Sequence, residues 1–553
     1  MTSRNLHYDE LAATAAKLLA DMRSDPSGDF SPSIYETARL VALTPSLSGH
    51  RKRIRFLLDQ QCADGSWGGP DSYSLIPTLS ATDALLATSQ HAETNGGIGA
   101  GEAVRAAERG LSWLRQALGP GTVAVLPDTV AVEILAPGLV SAINLRLDRL
   151  TALPPAHLDR EWTPGRLSPP PESSSALLDR IREAVLDGRN LPVKLLHSLE
   201  VLGSDTCGAA VPVASSGSIG CSPAATAAWL GDDRVRRGHP SVRYLEQVQE
   251  PHTGAVPVAA PLGLFERAWI LGTLGNTRIT TLAPHVLLDS LREGLGDDGA
   301  AGGDGLPPDA DDTAAALYAL ALHGQPRHAG PLWTYWTEED GGHVSCFPGE
   351  RTPSTSTNAH ALQAFATAAD PETGDARRRA SAIRSIAHWL CEQQTPDGYW
   401  TDKWHASPYY ATACCTVALT KYGGTEAKAP VAAAARWALA TQRPEGSWGR
   451  WSGTYEETAY AVQILLCAGS PVDDVTAEAA ARGCRYLAEN GDLTAHPPLW
   501  HDKDLYVPTR IVRTEGLAAL HAARSDPRTA ALLHEIGDHS GRESTRSAGN
   551  AVC

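Results

Sequence analysis

The stretch Trp389–Trp400 reads WLCEQQTPDGYW. The same arrangement returns at Trp437–Trp448 as WALATQRPEGSW and at Phe56–Trp67 as FLLDQQCADGSW. Each time an aromatic residue is followed five positions later by Gln, then by three residues, Gly, one residue and Trp. A weaker copy, YLEQVQEPHTGAV, carries one extra residue and no Trp. An aromatic on the last turn of a helix, a Gln amide within reach of the free backbone groups at helix ends, a Gly for the turn and a Trp stacked beneath it make a structural staple between helices. Repetition of such a unit points to a repetitive α-barrel.

The surrounding chain agrees. TAAALYALALHG, NAHALQAFATAA, APVAAAARWALATQ and TAYAVQILLCAG place apolar residues at helical spacing and end near Gly or turn residues. Strand-like alternation is rare and short, so the class is all-α. At 553 residues the chain is too long for one ordinary core. Thr151 to Ser175, rich in Pro and Ser, reads as a long surface loop, and residues 538–553 as a disordered tail.

The net charge of −16 argues against nucleic acid as a partner, because an acidic chain repels phosphate backbones. The ten cysteines form no C-x-x-C pair and suggest neither a zinc site nor a disulfide framework; they read as small buried hydrophobes in a reducing cytosol. The N-terminus reads as an amphipathic helix from Leu6 to Met22, not as a signal peptide, and no apolar run approaches the roughly 20 residues that span a bilayer. A cytoplasmic protein that is not an integral membrane protein is expected.

One stretch resists a purely structural account. LPPDADDTAAALYAL packs Asp309, Asp311 and Asp312 into four positions at the start of an apolar helix. Like charges this close, against an apolar wall, are costly to ionise. Ordinary N-capping is the plain alternative.

Taken with the Gln-Gly-Trp repeats, this Asp-x-Asp-Asp motif resembles the class II terpene cyclases. LLHSLE, FSPSIYETA, SPAATA and PLGLFERAW look like the diterpene cyclases of copalyl-diphosphate type. DKWHASPYYATA and LWHDKDLYVPTRIVR look like their bacterial members. The resemblance runs from about Phe30 to Arg513. It implies two α-barrel domains, γ inserted into β, with the active site between them. Residues 1–25 would supply the N-terminal helix of β, 26–290 would be γ, and 291–537 would be the rest of β with the acid motif. No D-D-x-x-D ionisation motif follows Asp311-Asp312 or Asp473-Asp474, so the diphosphate should be retained.

What the resemblance implies for chemistry is specific. Asp311 would be the general acid that protonates the distal alkene of geranylgeranyl diphosphate, with Asp309 and Asp312 orienting its proton. Burial, which shifts a carboxyl by up to about 3–5 pKa units, should outweigh the helix dipole, which favours the charged form. The product would be a bicyclic copalyl-type diphosphate, for a class I terpene synthase to use next. Farnesyl diphosphate giving a drimenyl-type product is one alternative. Another is an α/α-barrel glycan-processing enzyme, though two acids set apart across the barrel would then be expected. A non-enzymatic helical-repeat scaffold is a third.

Glu133 in VAVEILAPGLV matches a magnesium-associated Glu, which makes Mg²⁺ the expected cofactor. A lone Glu in an apolar run costs energy unless paired. Lys503, Lys403 and Arg513 are candidate diphosphate cations, Lys503 first. Trp333, Tyr335, Trp336, Trp404, Tyr409, Tyr410 and Tyr455 are candidates for the cation-stabilising wall by position only; core packing explains each equally well. His197 matches one half of a terminating dyad whose Asn position holds Val258 here, so either His197 acts alone through a backbone-bound water, and must then stay neutral, or another group takes the proton. A homodimer stays open.

Overall fold

The computed structural model describes residues 8–89, 100–119, 126–152, 165–279, 283–338, 341–350, 352–369, 373–468 and 472–533. The tail 538–553 and much of the Pro/Ser-rich segment lie outside the described residues. The all-α expectation holds: strands among the described residues are two-residue pairs, three closing loops and one joining Pro32–Ser33 to Val256–Pro257. No described helix is long and apolar enough to cross a membrane.

One barrel is a closed ring. Helices Gly263–Thr277, Ala310–Leu322, Thr355–Thr367, Pro408–Tyr422, Tyr455–Cys467 and Thr509–Ser525 each pack on the next, and the last returns to the first. Helices His285–Gly294, Thr373–Glu392, Lys428–Ala440 and Asp474–Glu489 lie outside this ring. The N-terminal helix Tyr8–Ser24 packs on Thr509–Ser525 and buries Leu11, Leu18, Leu19 and Met22 in the same core. The other unit has its own core, built on helices Ile34–Leu43, Leu75–Ser89, Ala100–Ala117 and Val132–Ala152. The chain therefore starts in one barrel, leaves to build the second, and returns. The return comes earlier than residue 290. Leu262, Trp269, Ile270 and Leu271, with Leu287, Leu288 and Leu291, are buried in the core of the first barrel. Helices Gly263–Thr277 and His285–Gly294 belong there because their apolar faces complete that ring.

The staples take one geometry three times. The Gln61 amide donates to the Gly65 and Ala106 carbonyls at 2.9 Å each. Gln394 donates to Gly398 and Pro430 at 2.9 Å each. Gln442 donates to Gly446 at 3.0 Å and Ala479 at 2.9 Å. Trp67, Trp400 and Trp448, each fully buried, donate their indole N–H at 2.7 Å to Leu57, Leu390 and Ala438 on the preceding helix. Glycine is required at the turns. Gly65, Gly398 and Gly446 have φ of +93°, +96° and +92°, and an added Cβ would come within 2.9 Å of a backbone oxygen on the neighbouring helix.

Candidate active site

A cavity of about 430 Å³ opens between the two barrels, within the roughly 300–1,000 Å³ usual for small-molecule sites. One barrel contributes Asp128 to Ile134 and Lys194 to Ser198. The other contributes Asp309, Asp311, Asp312, Cys346, Phe347, Glu350, Lys403, Trp404, Tyr410 and Trp500 to Asp502.

Asp309 is the N-cap of helix Ala310–Leu322, its carboxylate accepting the Asp312 backbone N–H at 2.8 Å. The plain N-capping account is therefore true of Asp309, but it leaves the other two acids unexplained. Burial pushes the Asp309 carboxyl up to about 7. Burial, then the charge of Asp309, pushes Asp312 well above the usual carboxylate range. Asp312 Oδ1 is buried without a partner. For Asp309 and Asp312 burial thus outweighs the backbone hydrogen bonds that favour the charged form.

Asp311 points elsewhere. His360, from the next helix of the ring, lies with Nδ1 2.7 Å from Asp311 Oδ1. Burial alone would lower the imidazole's pKa, but the carboxylate outweighs it and lifts His360 to about 10. His360 is thus a cation at neutral pH and donates to Asp311. Sequence reading missed it; it stands in NAHALQAFATAA among other polar residues, Asn358, Gln363 and Thr367, and nothing local sets it apart.

Aromatic rings wall the space beside the acids. Phe265 and Trp269 lie 4.4 Å apart between ring centroids, Tyr410 and Trp500 lie 4.8 Å apart, and the Trp269 ring meets the His360 ring edge-on at 5.2 Å. Trp404 also lines the cavity, with its backbone N–H held by Asp402 at 2.9 Å. Trp269 stands in PLGLFERAW and Trp500 in LWHDKDLYVPTRIVR, so the signal for both lay in segments already singled out.

Several expected wall residues are elsewhere. Trp333 and Trp336 pack on Phe365 with Arg378 over the Trp333 ring, Tyr409 stacks on Trp437 at 4.5 Å, and Tyr455 packs beside Leu493, Val507 and Val512. Tyr335 donates its hydroxyl to the Asp298 carbonyl. None of these five lines the cavity. They are core and surface rings.

The cations also sort differently from expectation. Lys503 does not line the cavity. It is 1% exposed and pinned between Glu36 at 2.5 Å and Glu200 at 2.8 Å, with Ser222 at 2.9 Å. A cation so neutralised has nothing left for a diphosphate. Arg513 is exposed and likewise absent from the cavity wall. Lys403 does line it, 2.6 Å from Glu350. Lys194, exposed beside the Phe347 ring at 4.9 Å, is the second lysine there and went unnoticed in sequence although it stands three residues before His197.

Glu133 is exposed in the first turn of helix Val132–Ala152 and lines the cavity. The expected cost of burying it therefore does not arise. Asp128, whose carboxyl burial raises, lines the same end. No group of three potential metal ligands occurs among the described residues.

His197 is buried with both ring nitrogens engaged. Nδ1 lies 2.7 Å from the Gly220 carbonyl oxygen and Nε2 lies 3.0 Å from Asp502 Oδ1. Burial opposes its cation, yet Asp502 outweighs burial and raises the imidazole's pKa. The environment that would lower the His197 pKa is not there, because its neighbour is a carboxylate. Val258, at the usual Asn position, is buried core.

Comparison with known proteins agrees with this architecture. Residues 351–505 match the model of the squalene-hopene cyclase C-terminal domain. The chain is 44% identical over 519 residues to the ent-copalyl diphosphate synthase of Streptomyces sp. strain KO-3988, covering 94% of this chain and 97% of that one. It is 41% identical to the copalyl diphosphate synthase of Streptomyces cyslabdanicus, with the same two coverages, 94% and 97%. The solved ent-copalyl diphosphate synthase from Streptomyces platensis superposes with a TM-score of 0.85 at 47% identity, covering 93% of this chain and 99% of that one. Two helical barrels, a cavity between them and near-full-length identity to such relatives place this chain in the class II diterpene cyclase family, whose members are intramolecular lyases.

Proposed function

We propose that this enzyme protonates the distal alkene of geranylgeranyl diphosphate and closes the chain to a bicyclic copalyl-type diphosphate, with the diphosphate retained. The observation that carries the reading is the position of Asp311: one oxygen held by His360, and an aromatic-walled cavity in front of it. An alkene is a very weak base, so the donor must be a neutral carboxyl facing a dry pocket. With His360 fixed on Oδ1, a solvent proton taken up on the other Asp311 oxygen makes the neutral carboxyl that is presented to the alkene. Asp309 and Asp312, both favouring their neutral forms, limit the negative charge around it. The faces of Phe265, Trp269, Tyr410 and Trp500 then meet the tertiary cations.

At the other end, Lys194 and Lys403 meet the diphosphate, and the absence of a D-D-x-x-D motif leaves it in place. Glu133 and Asp128 are the carboxylates that would hold Mg²⁺. Magnesium takes one or two carboxylates together with substrate phosphates, so the donor set fits although it lacks three protein ligands. Bound there, the ion would neutralise diphosphate charge. The relatives bear copalyl diphosphate in their names, so neither the farnesyl nor the glycan alternative is favoured. The reading puts the enzyme in the cytoplasm, supplying a class I terpene synthase.

The test is incubation with geranylgeranyl and farnesyl diphosphates and Mg²⁺, phosphatase treatment and mass spectrometry. A cyclic C20 alcohol is expected. A cyclic C15 alcohol alone would replace the substrate assigned here. Glu133→Ala should raise both KM and the Mg²⁺ required without changing stability; an unchanged Mg²⁺ titration would remove Glu133 from the site.

A further inference from the structure

His197 cannot be the group that ends the reaction, and the reason lies in its two partners. The Gly220 carbonyl only accepts, so Nδ1 carries a hydrogen. Nε2 faces Asp502 Oδ1, which also accepts the Lys503 backbone N–H at 2.6 Å. Asp502 is kept ionised: burial opposes its charge, but His197 outweighs burial and holds the carboxyl below its usual range. A carboxylate accepts, so Nε2 carries a hydrogen as well. The ring has no lone pair to offer.

The carboxylate does. Asp502 lines the cavity, its side chain is 14% exposed, and among the described residues no donor reaches Oδ2. Its place along the cavity is also informative. Tyr506 lies within electrostatic reach of both Asp312 and Asp502, and the Asp502 carbonyl accepts the Val130 backbone N–H at 3.0 Å, beside Asp128 and Glu133. Asp502 thus sits between the acid end and the end that meets the diphosphate. A bicyclic cation formed from the distal part of the chain comes to rest in that middle stretch. His501, the other imidazole on this wall, is no substitute, because its unpartnered Nε2 is shut off from open space.

We propose that Asp502 is the terminating base of this cyclase, with His197 as the fixed imidazolium that positions it. The inference rests on the cyclase reading above. A C–H bond beside the ring cation breaks, its electron pair becomes the product alkene, and the proton goes to Asp502 Oδ2. The neutral carboxyl gives the proton to water when the product leaves, and no co-reactant is consumed. A carbocation is so strong an acid that a weakly basic carboxylate suffices; what the site must supply is position.

Two variants separate the roles. Asp502→Asn keeps the shape and cannot take the proton. It should consume geranylgeranyl diphosphate within roughly tenfold of the wild-type rate while the single wild-type alkene gives way to alkene isomers and hydroxylated diphosphates. His197→Gln retains an N–H toward Asp502 and is no base, so the wild-type alkene should stay the main product while kcat falls with the loss of the imidazolium. If Asp502→Asn does not fold, the pH dependence of the wild-type product ratio decides. Lys503, Glu36, Cys221 and Tyr506 surround the pair, and with Asp502 as base the ratio stays constant from pH 6 to 8, where a free imidazole would titrate. Wild-type alkene as the sole Asp502→Asn product, the scrambled mixture from His197→Gln, or a ratio that turns over with a histidine-like midpoint would each overturn the assignment. Wild-type enzyme that makes no cyclic product from this substrate would instead overturn the cyclase reading.

Discussion

Two places in this molecule bury acids together, and they do opposite things with them. Around Lys503, Glu36 and Glu200 share one ammonium, and Asp504 accepts from Ser33 and from the Tyr35 backbone. The lysine is 1% exposed and does not line the cavity between the barrels. Around Asp311, a single imidazole meets one of three neighbouring carboxyls, Asp312 Oδ1 has no partner, and the cavity opens on all three. Burial of carboxylates is common to both. What separates a clamp from an acid is whether a cation stands between the carboxylates, and whether there is space in front of them for a substrate.

That contrast is broken or sharpened by substitutions on each side. Asp311→Asn should show the largest effect: cyclisation falls by about 10²–10⁴-fold while unfolding stays cooperative, with a lower Tm from the lost His360 pair. A variant still cyclising at near wild-type rate would dissolve the contrast. Lys503→Met leaves Glu36 and Glu200 buried without their cation and should cost about 3–5 kcal/mol in urea unfolding. A higher KM at unchanged stability would return Lys503 to the diphosphate.

The smallest effect is in pH. The folded pKa of His360, about 10, lies above its unfolded value of about 6.5. The pair's contribution to stability is therefore fully present below about pH 6.5 and is lost as pH rises through about 10. His360→Gln should differ from wild type most at pH 6 and least near pH 10. A difference that grows with pH would mean that Asp311 does not hold the imidazolium.

The same contrast explains how much could be read from sequence. The staple motif is local: Gln, Gly and Trp lie within a dozen residues, so the repeat was legible, although each Gln also donates to a carbonyl some 36–45 positions away. The acid motif is local too. Partners are not. His360 meets Asp311 across 49 positions and Lys503 meets Glu200 across 303. Lys503 and Lys403 stand in equally family-like segments, and nothing in either shows that one is locked between two carboxylates away from the cavity while the other, with one carboxylate, lines it. Trp333 and Trp500 are likewise indistinguishable as letters. Which ring faces the cavity depends on how the barrels meet.

The most direct measurement is turnover of geranylgeranyl diphosphate in D₂O, followed by mass spectrometry of the dephosphorylated product and an assay for free pyrophosphate. If a carboxyl-held solvent proton starts the reaction and the diphosphate stays, the cyclic product carries one deuterium and no pyrophosphate appears. Cyclic product without deuterium, formed together with stoichiometric pyrophosphate, would contradict the account.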